Sequence, residues 1–336
     1  VAYEIKQNVV DPVRMGFSWV EARLGRPANR YEEASIEVQQ EENFHYRPLW
    51  DPAHDIFDRS YTRLEIGDPY AFLDPRQYYY FSYNQVRSKS AERFVEQLDY
   101  AQRMGAFAAI SAPWKAAIAN VVAPLRHLEY GLQLVLVQVS AFAWGTTIEQ
   151  AACFSGFDHI GNAQLSSRIV LGLDDGVEVL AQAKELWMSA SWLQPVRRFV
   201  EDVLAERDWA DQLVAVQLEL APRLYPAIWG GLEQASVAQG YGLLAGLFHH
   251  FVEWYEDDQR WSTALLAHLA TVADGVNANE LAGMAERFAA PASAAVEALV
   301  EVLADVLNAG GALAAGEAAA EAVHAATIQG AVERVN

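Results

Sequence analysis

The chain has 336 residues, 24 Lys and Arg against 44 Asp and Glu, one Cys and 52% hydrophobic residues. A net charge of −20 argues against a nucleic-acid partner and against docking on an anionic membrane, both of which need a basic face, and the apolar fraction excludes general disorder. Cys153 alone forms no internal disulfide, the opening Val1–Lys6 lacks a basic-then-apolar signal, and the run Gly131–Trp144 is short for a membrane span, so the chain reads as a cytoplasmic protein.

Residues 1–83 are rich in Pro, Tyr, Asp and Arg and lack helical periodicity. They read either as a loop-rich cap on the chain's own bundle or as an arm lying on another subunit. The pattern becomes helical from about Tyr83, and Ser90–Met104 reads as an amphipathic helix with Phe94 and Leu98 on one face. Pro113 and Pro124 mark expected breaks. Leu125–Trp144 is apolar nearly all round, the pattern of a helix at a bundle centre. Gly145 ends it, Thr146–Glu149 reads as a capping box, and the next helix runs to Leu173. Gly176, Pro195 and Asp208 punctuate a second block, in which Pro222 and Pro226 predict a kink within 213–239 and 240–271 forms another helix. The tail from Asn277 to Ala326 is Ala-rich, with Gly310-Gly311 expected to separate its last two helices. No convincing alternating strand pattern appears. The fold class is all-α, with an arm (1–83), a helical core (84–275) and Ala-rich C-terminal helices (276–336).

The chemistry is sparse. Gly240-Tyr-Gly242 lacks the third glycine of a dinucleotide loop, and no Cys cluster or Gly-x-Ser-x-Gly elbow exists. The remaining option in a helical bundle is a carboxylate–histidine metal site, which takes a Glu from each of two helices and Glu-x-x-His from two others. Glu42–His45 and Asp51–His54 have acid–x–x–His spacing within the Pro-rich arm, and Glu321–His324 has it near the C-terminus; chance accounts for each. His249 and His250 are adjacent and do not share a helix face. The ten tryptophans read as core and interface anchors.

Several stretches resemble one family. They are Asn43-Phe-His-Tyr-Arg-Pro-Leu-Trp-Asp-Pro52, Asp74-Pro-Arg-Gln-Tyr-Tyr-Tyr80, Pro124-Leu-Arg-His127, Arg126-His-Leu-Glu-Tyr-Gly131, Arg207-Asp-Trp209 and Glu256-Asp-Asp-Gln-Arg-Trp261. Together they resemble the β subunits of bacterial multicomponent, soluble di-iron monooxygenases, the phenol hydroxylase type above all, over about residues 4–270. The resemblance implies a ferritin-like helical bundle related to a catalytic α subunit, which alone holds iron. Set against the α-type ligand pattern, Glu129 stands at the first Glu. His159 and Asn162 replace the Glu and His of the second motif, and Leu220, beside Glu219, stands at the lone Glu. Asp258 keeps a carboxylate in the last motif, whereas Trp261 replaces its His. An indole N–H only donates. The expectation is therefore no metal or catalytic residue here, with Glu129 and His159 as a buried pair near Asp258 and Arg260.

The implied role is a non-catalytic brace within an (αβγ)₂ hydroxylase. The implied partners are a di-iron α subunit, a small γ subunit, a regulatory protein and an NADH-dependent reductase carrying FAD and a 2Fe–2S cluster. Expected intersubunit contacts are Phe44, Tyr46, Arg47, Leu49, Trp50, Arg76, Tyr78 and Tyr79. The alternatives are a helical oxidase using Glu129, His159 and Asp258 as ligands, or a metal-free scaffold unrelated to oxygenation.

Overall fold

The computed structural model describes residues 15–40, 46–173 and 176–329. Short helices α1 (Ser18–Leu24) and α2 (Arg30–Ser35) are followed by irregular chain to Tyr79 and then by α3 (Tyr80–Arg103). α4 (Ala112–Ala117) passes through a π-helical stretch into α5 (Ala123–Phe142), which packs against α6 (Thr146–Leu173). α7 (Glu178–Ser189) and α8 (Gln194–Ala205) lead to one long helix built of α9 (Trp209–Leu213), α10 (Ala221–Leu224) and α11 (Gly231–Ala238) with π-helical stretches between them. α12 (Gly242–Thr271), α13 (Val276–Val302) and α14 (Ala309–His324) complete the bundle. The described residues contain no strand, and none of their helices is long and apolar enough to cross a membrane.

Trp209, Trp229, Trp261, Tyr225, Phe248 and Phe251 are fully buried at the centre. Trp229 stacks on Phe251 with ring centroids 3.9 Å apart. The Ala-rich tail belongs to this packing. A Cβ on Gly316 of α14 would lie 2.6 Å from the carbonyl oxygen of Arg223, so the absent side chain lets α14 approach α10 closely.

Several local expectations are corrected. α3 begins at Tyr80, ten residues before the amphipathic stretch Ser90–Met104. Pro124 does not break the helix. The π-helical stretch Ile118–Val122 precedes it, and the carbonyl of Asn120, four residues upstream, accepts from Trp192 Nε1 at 3.4 Å instead. Pro222 follows the π-helical stretch Val214–Leu220, and Pro226 lies within a second one, Tyr225–Gly230. Gly310 and Gly311 do not separate the tail helices. Residues 303–308 do so, and Asn308 caps α14 by accepting from the Gly311 amide at 3.3 Å.

Residues 46–79 hold two 3-10 turns, Arg59–Tyr61 and Pro69–Ala71, yet they pack on the chain's own bundle. Tyr61, Leu64, Ile66 and Phe72 join the main core. Arg63 forms a two-pronged pair with Asp211 at 2.7 and 2.8 Å and bonds Glu280 at 3.0 Å. Asn277 accepts from the Glu65 amide and donates to its carbonyl, at 3.0 and 2.7 Å. The segment is a strap across the ends of α9, α12 and α13.

At the α5–α6 corner Gly145 has φ +117°, and a Cβ there would meet Pro69 of the strap at 2.4 Å. Thr146 is the first helical residue, and its hydroxyl has no partner among the described residues, so the expected capping box is not formed. Glu149 is left largely buried. Burial raises its carboxyl from 4.5 to about 8, against the opposing Gly145 amide and Gln39 side chain. A carboxyl whose value rises on folding destabilises as it ionises: stability is full below 4.5 and falls progressively up to about 8. Glu149→Gln is expected to leave stability at pH 4.5 nearly unchanged and to raise it at pH 8.5 by on the order of 2 kcal/mol, measured by urea unfolding. Equal effects at both pH values would contradict this.

Candidate functional site

The central helices direct polar side chains into the core. Glu129 of α5 and His159 of α6 are each 1% exposed. His159 Nδ1 donates to Glu129 Oε2 at 2.6 Å, and the Tyr225 hydroxyl donates to Oε1 at 2.7 Å. The His159 ring stands edge-on to Trp254, and Tyr225 stacks on Tyr255. Burial opposes protonation of His159, but the Glu129 charge and hydrogen bond outweigh it and raise the imidazole above 6.5. Burial first, then Glu129, pushes the Tyr225 phenol well above its ordinary value.

Asp258 of α12 forms a second set. Its Oδ1 accepts from Trp261 Nε1 at 2.8 Å and from Arg76 at 3.3 Å, and its Oδ2 accepts from Gln217 Nε2 at 3.0 Å. Arg76 comes from the strap. It also grips Asp74, with Nε 3.1 Å from both carboxylate oxygens, and its guanidinium lies over Tyr78 and Trp261. Next to this set, Arg87 of α3 grips both oxygens of Asp158 at 2.9 Å and reaches Asp257 at 2.9 Å. Tyr83 donates to Asp158 and Tyr78 to Asp257, at 2.9 and 2.8 Å.

Leu220 is fully buried, and so is its neighbour Glu219. Glu219 turns to the tail, pairing with Arg223 at 2.7 Å and with His324 of α14 at 2.7 Å. Glu321 is exposed, so Glu321 and His324 do not converge. In the arm, His54 and Asp51 pair at 2.8 Å on the surface, while Glu42, His45 and the expected contact Phe44 lie outside the described residues.

A bridged metal pair needs carboxylate and imidazole lone pairs facing a common space. Both oxygens of Glu129 and both of Asp258 accept hydrogen bonds from side chains of this chain. Trp261 fills its position with a group that only donates. His159 Nε2 has no hydrogen-bond partner among the described residues, and neither has Nδ2 of Asn162, one turn further along α6. Among the described residues no group of three or more His, Cys, Asp and Glu has metal-holding geometry. This donor set does not fit a di-iron centre; it fits a buried polar core.

The structure thus brings Glu129 and His159 together but assigns Asp258 to a different set. Arg260 lies outward on Asp257, not inward beside Asp258. Of the expected intersubunit contacts, Arg76 and Tyr78 are corrected. Both are buried in the chain's own interior, where Asp74 with Asp258, and Asp257, hold their polar atoms. Tyr79 is half-buried, whereas Tyr46, Arg47, Leu49 and Trp50 are exposed, with Trp50 packed on Tyr61, Phe142 and the Arg207 guanidinium. Sequence reasoning missed Tyr225, Gln217 and Arg87. Gln217 is a polar group within the apolar run 213–218, and that isolation was the available signal.

The sequence profile of the methane/phenol/alkene hydroxylase family matches residues 50–272. The chain is 34% identical over 273 residues to phenol 2-monooxygenase, oxygenase component MhpL, of Acinetobacter pittii (strain PHEA-2), covering 81% of this chain and 82% of that one. It is 26% identical over 245 residues to the hydroxylase component subunit beta of the toluene-4-monooxygenase system of Ectopseudomonas mendocina, covering 71% and 74%. Its fold superposes on phenol hydroxylase from Pseudomonas sp. OX1 with a TM-score of 0.84 and 29% identity, over 96% of this chain and 98% of that chain. The bundle is therefore the ferritin-like hydroxylase fold.

The Glu129–His159 pair has a pH signature. A histidine raised on folding contributes stability that is full below about 6.5 and is lost as pH rises through the folded value. His159→Gln is expected to destabilise by about 3 kcal/mol at pH 6, with the difference from the parent shrinking towards pH 9. A difference that stays constant or grows with pH would contradict the charged pair.

Proposed function

The chain belongs to the methane/phenol/alkene hydroxylase family, and on that premise we propose that it is the non-catalytic β subunit of a phenol-hydroxylase-like multicomponent monooxygenase. The whole complex would hydroxylate an aromatic ring with O₂ and NADH. The assembly is an (αβγ)₂ hydroxylase served by a regulatory protein and by a reductase with FAD and a 2Fe–2S cluster, and the di-iron centre resides in α. The observation that carries this reading is the engagement of Asp258 by Trp261, Gln217 and Arg76, which gives both carboxylate oxygens donors from within this chain. The name of the toluene-4-monooxygenase relative supports the β assignment.

The role is mechanical. Buried ion pairs and the strap hold the long helices in fixed register, and a rigid β bundle braces the iron-bearing subunit packed on it. Contacts with that subunit draw on Tyr46, Leu49 and Trp50, and on Tyr80 and Phe81 at the start of α3, which are 75% and 58% exposed. Aromatic anchors of this kind dominate interface energetics.

Two variants test the reading in the assembled hydroxylase. Glu129→Gln is expected to leave turnover per complex within about twofold, since a brace touches no reacting atom. Tyr80→Ser combined with Phe81→Ser is expected to reduce co-purification with the large subunit at least tenfold while the chain keeps its helical circular dichroism. Loss of turnover in correctly assembled Glu129→Gln complex would defeat the non-catalytic assignment.

A further inference from the structure

The chain is acidic overall, yet one groove is cationic. Between α5, α6 and α7 lies a cleft of about 400 Å³ whose lining includes Arg126, Tyr130, Ile160, Arg168, Leu171 and Leu180. Carboxylates engage most arginines of the described residues, Arg23, Arg63, Arg87, Arg223 and Arg287 among them. Arg126, Arg168 and the nearby Lys184 of α7 take part in no ion pair among the described residues. His127 also lines the cleft, and its Nε2 has no partner. Burial first, then the charges of Arg126 and Lys184, hold its imidazole below the ordinary value, so both cations lie near that ring.

Gathering unpaired cations from three helices around one apolar floor is unfavourable unless an anionic group comes among them. A compact ion would satisfy the charges and leave the floor wet. The cleft does not stop there. A second trough of about 490 Å³ lies against α3, shares Gln164 and Arg168 in its lining, and is lined further by Val95 and Leu165 and flanked by Glu92 and Glu96. Track, floor and charge together suit a length of polypeptide. We propose that this trough seats an amphipathic segment of another subunit, with its acidic end over Arg126, Arg168 and Lys184 and its apolar face on Ile160, Leu165 and Leu171. The proposal rests on the reading of the chain as a hydroxylase subunit and names the chemistry of one of its contacts.

The test uses the assembled hydroxylase purified with its native partners. A water-soluble carbodiimide joins an amine to a carboxylate in contact with it, and peptide mass mapping locates the link. The expected result is a cross-link from Lys184 to an Asp or Glu of another subunit, absent in Lys184→Gln. Arg126→Glu with Arg168→Glu should release that subunit at a salt concentration at least twofold lower than the parent needs. Acylation of Lys184 at the same rate in the assembled hydroxylase and in the isolated chain, with full subunit retention by the charge-reversed variant, overturns the proposal. Failure of the unaltered chain to co-purify with any large subunit appears before the cross-linking step, and it overturns the subunit reading together with the proposal.

Discussion

The carboxylate of Asp258 is the point on which the arrangement turns. It sits 2% exposed at the centre of a helical bundle, where an ionised oxygen without donors costs several kcal/mol. The chain satisfies it from three directions. Trp261 donates from one turn along the same helix, Gln217 from the long helix beside it, and Arg76 from the strap outside. Each donor uses a lone pair that a metal would need. The indole also fills the volume beside the carboxylate.

That interaction couples the irregular N-terminal region to the core. Arg76 reaches Asp258 only because Asp74 and the ring of Tyr78 hold its guanidinium in place. Arg87 does the same from α3, linking Asp158 of α6 to Asp257 of α12. Isolated buried ion pairs contribute little net stability. Their effect here is register: each one fixes an element against a partner remote in sequence. Hydrophobic burial around the central tryptophans supplies the driving force, and the charge sets choose one arrangement among those the apolar surfaces allow.

Much of this was legible in the residues. The α5–α6 pair follows from near-continuous apolar sequence and from Gly145, whose backbone few other residues tolerate. The Glu129–His159 pair was legible because two polar groups on neighbouring apolar helices have to satisfy each other. Other features depended on contacts remote in sequence. Arg76 lies 182 residues from Asp258, so its composition-rich neighbourhood reads equally as an outward arm or an inward strap. Pro124 reads as a break until Trp192 is known to take the carbonyl that the proline leaves unpaired. Arg87 was missed because its partners, Asp158 and Asp257, lie 71 and 170 residues away. Tyr225 looks like any aromatic in an apolar helix until Glu129 is found beside its hydroxyl.

The most direct test is an anaerobic titration of the isolated chain with ferrous iron, followed by desalting and metal analysis. The account predicts less than about 0.1 iron per chain, and the same value for Glu129→Ala, because the carboxylates are committed to internal donors. Retention of about two irons per chain, lost on changing Glu129 to Ala, would contradict it.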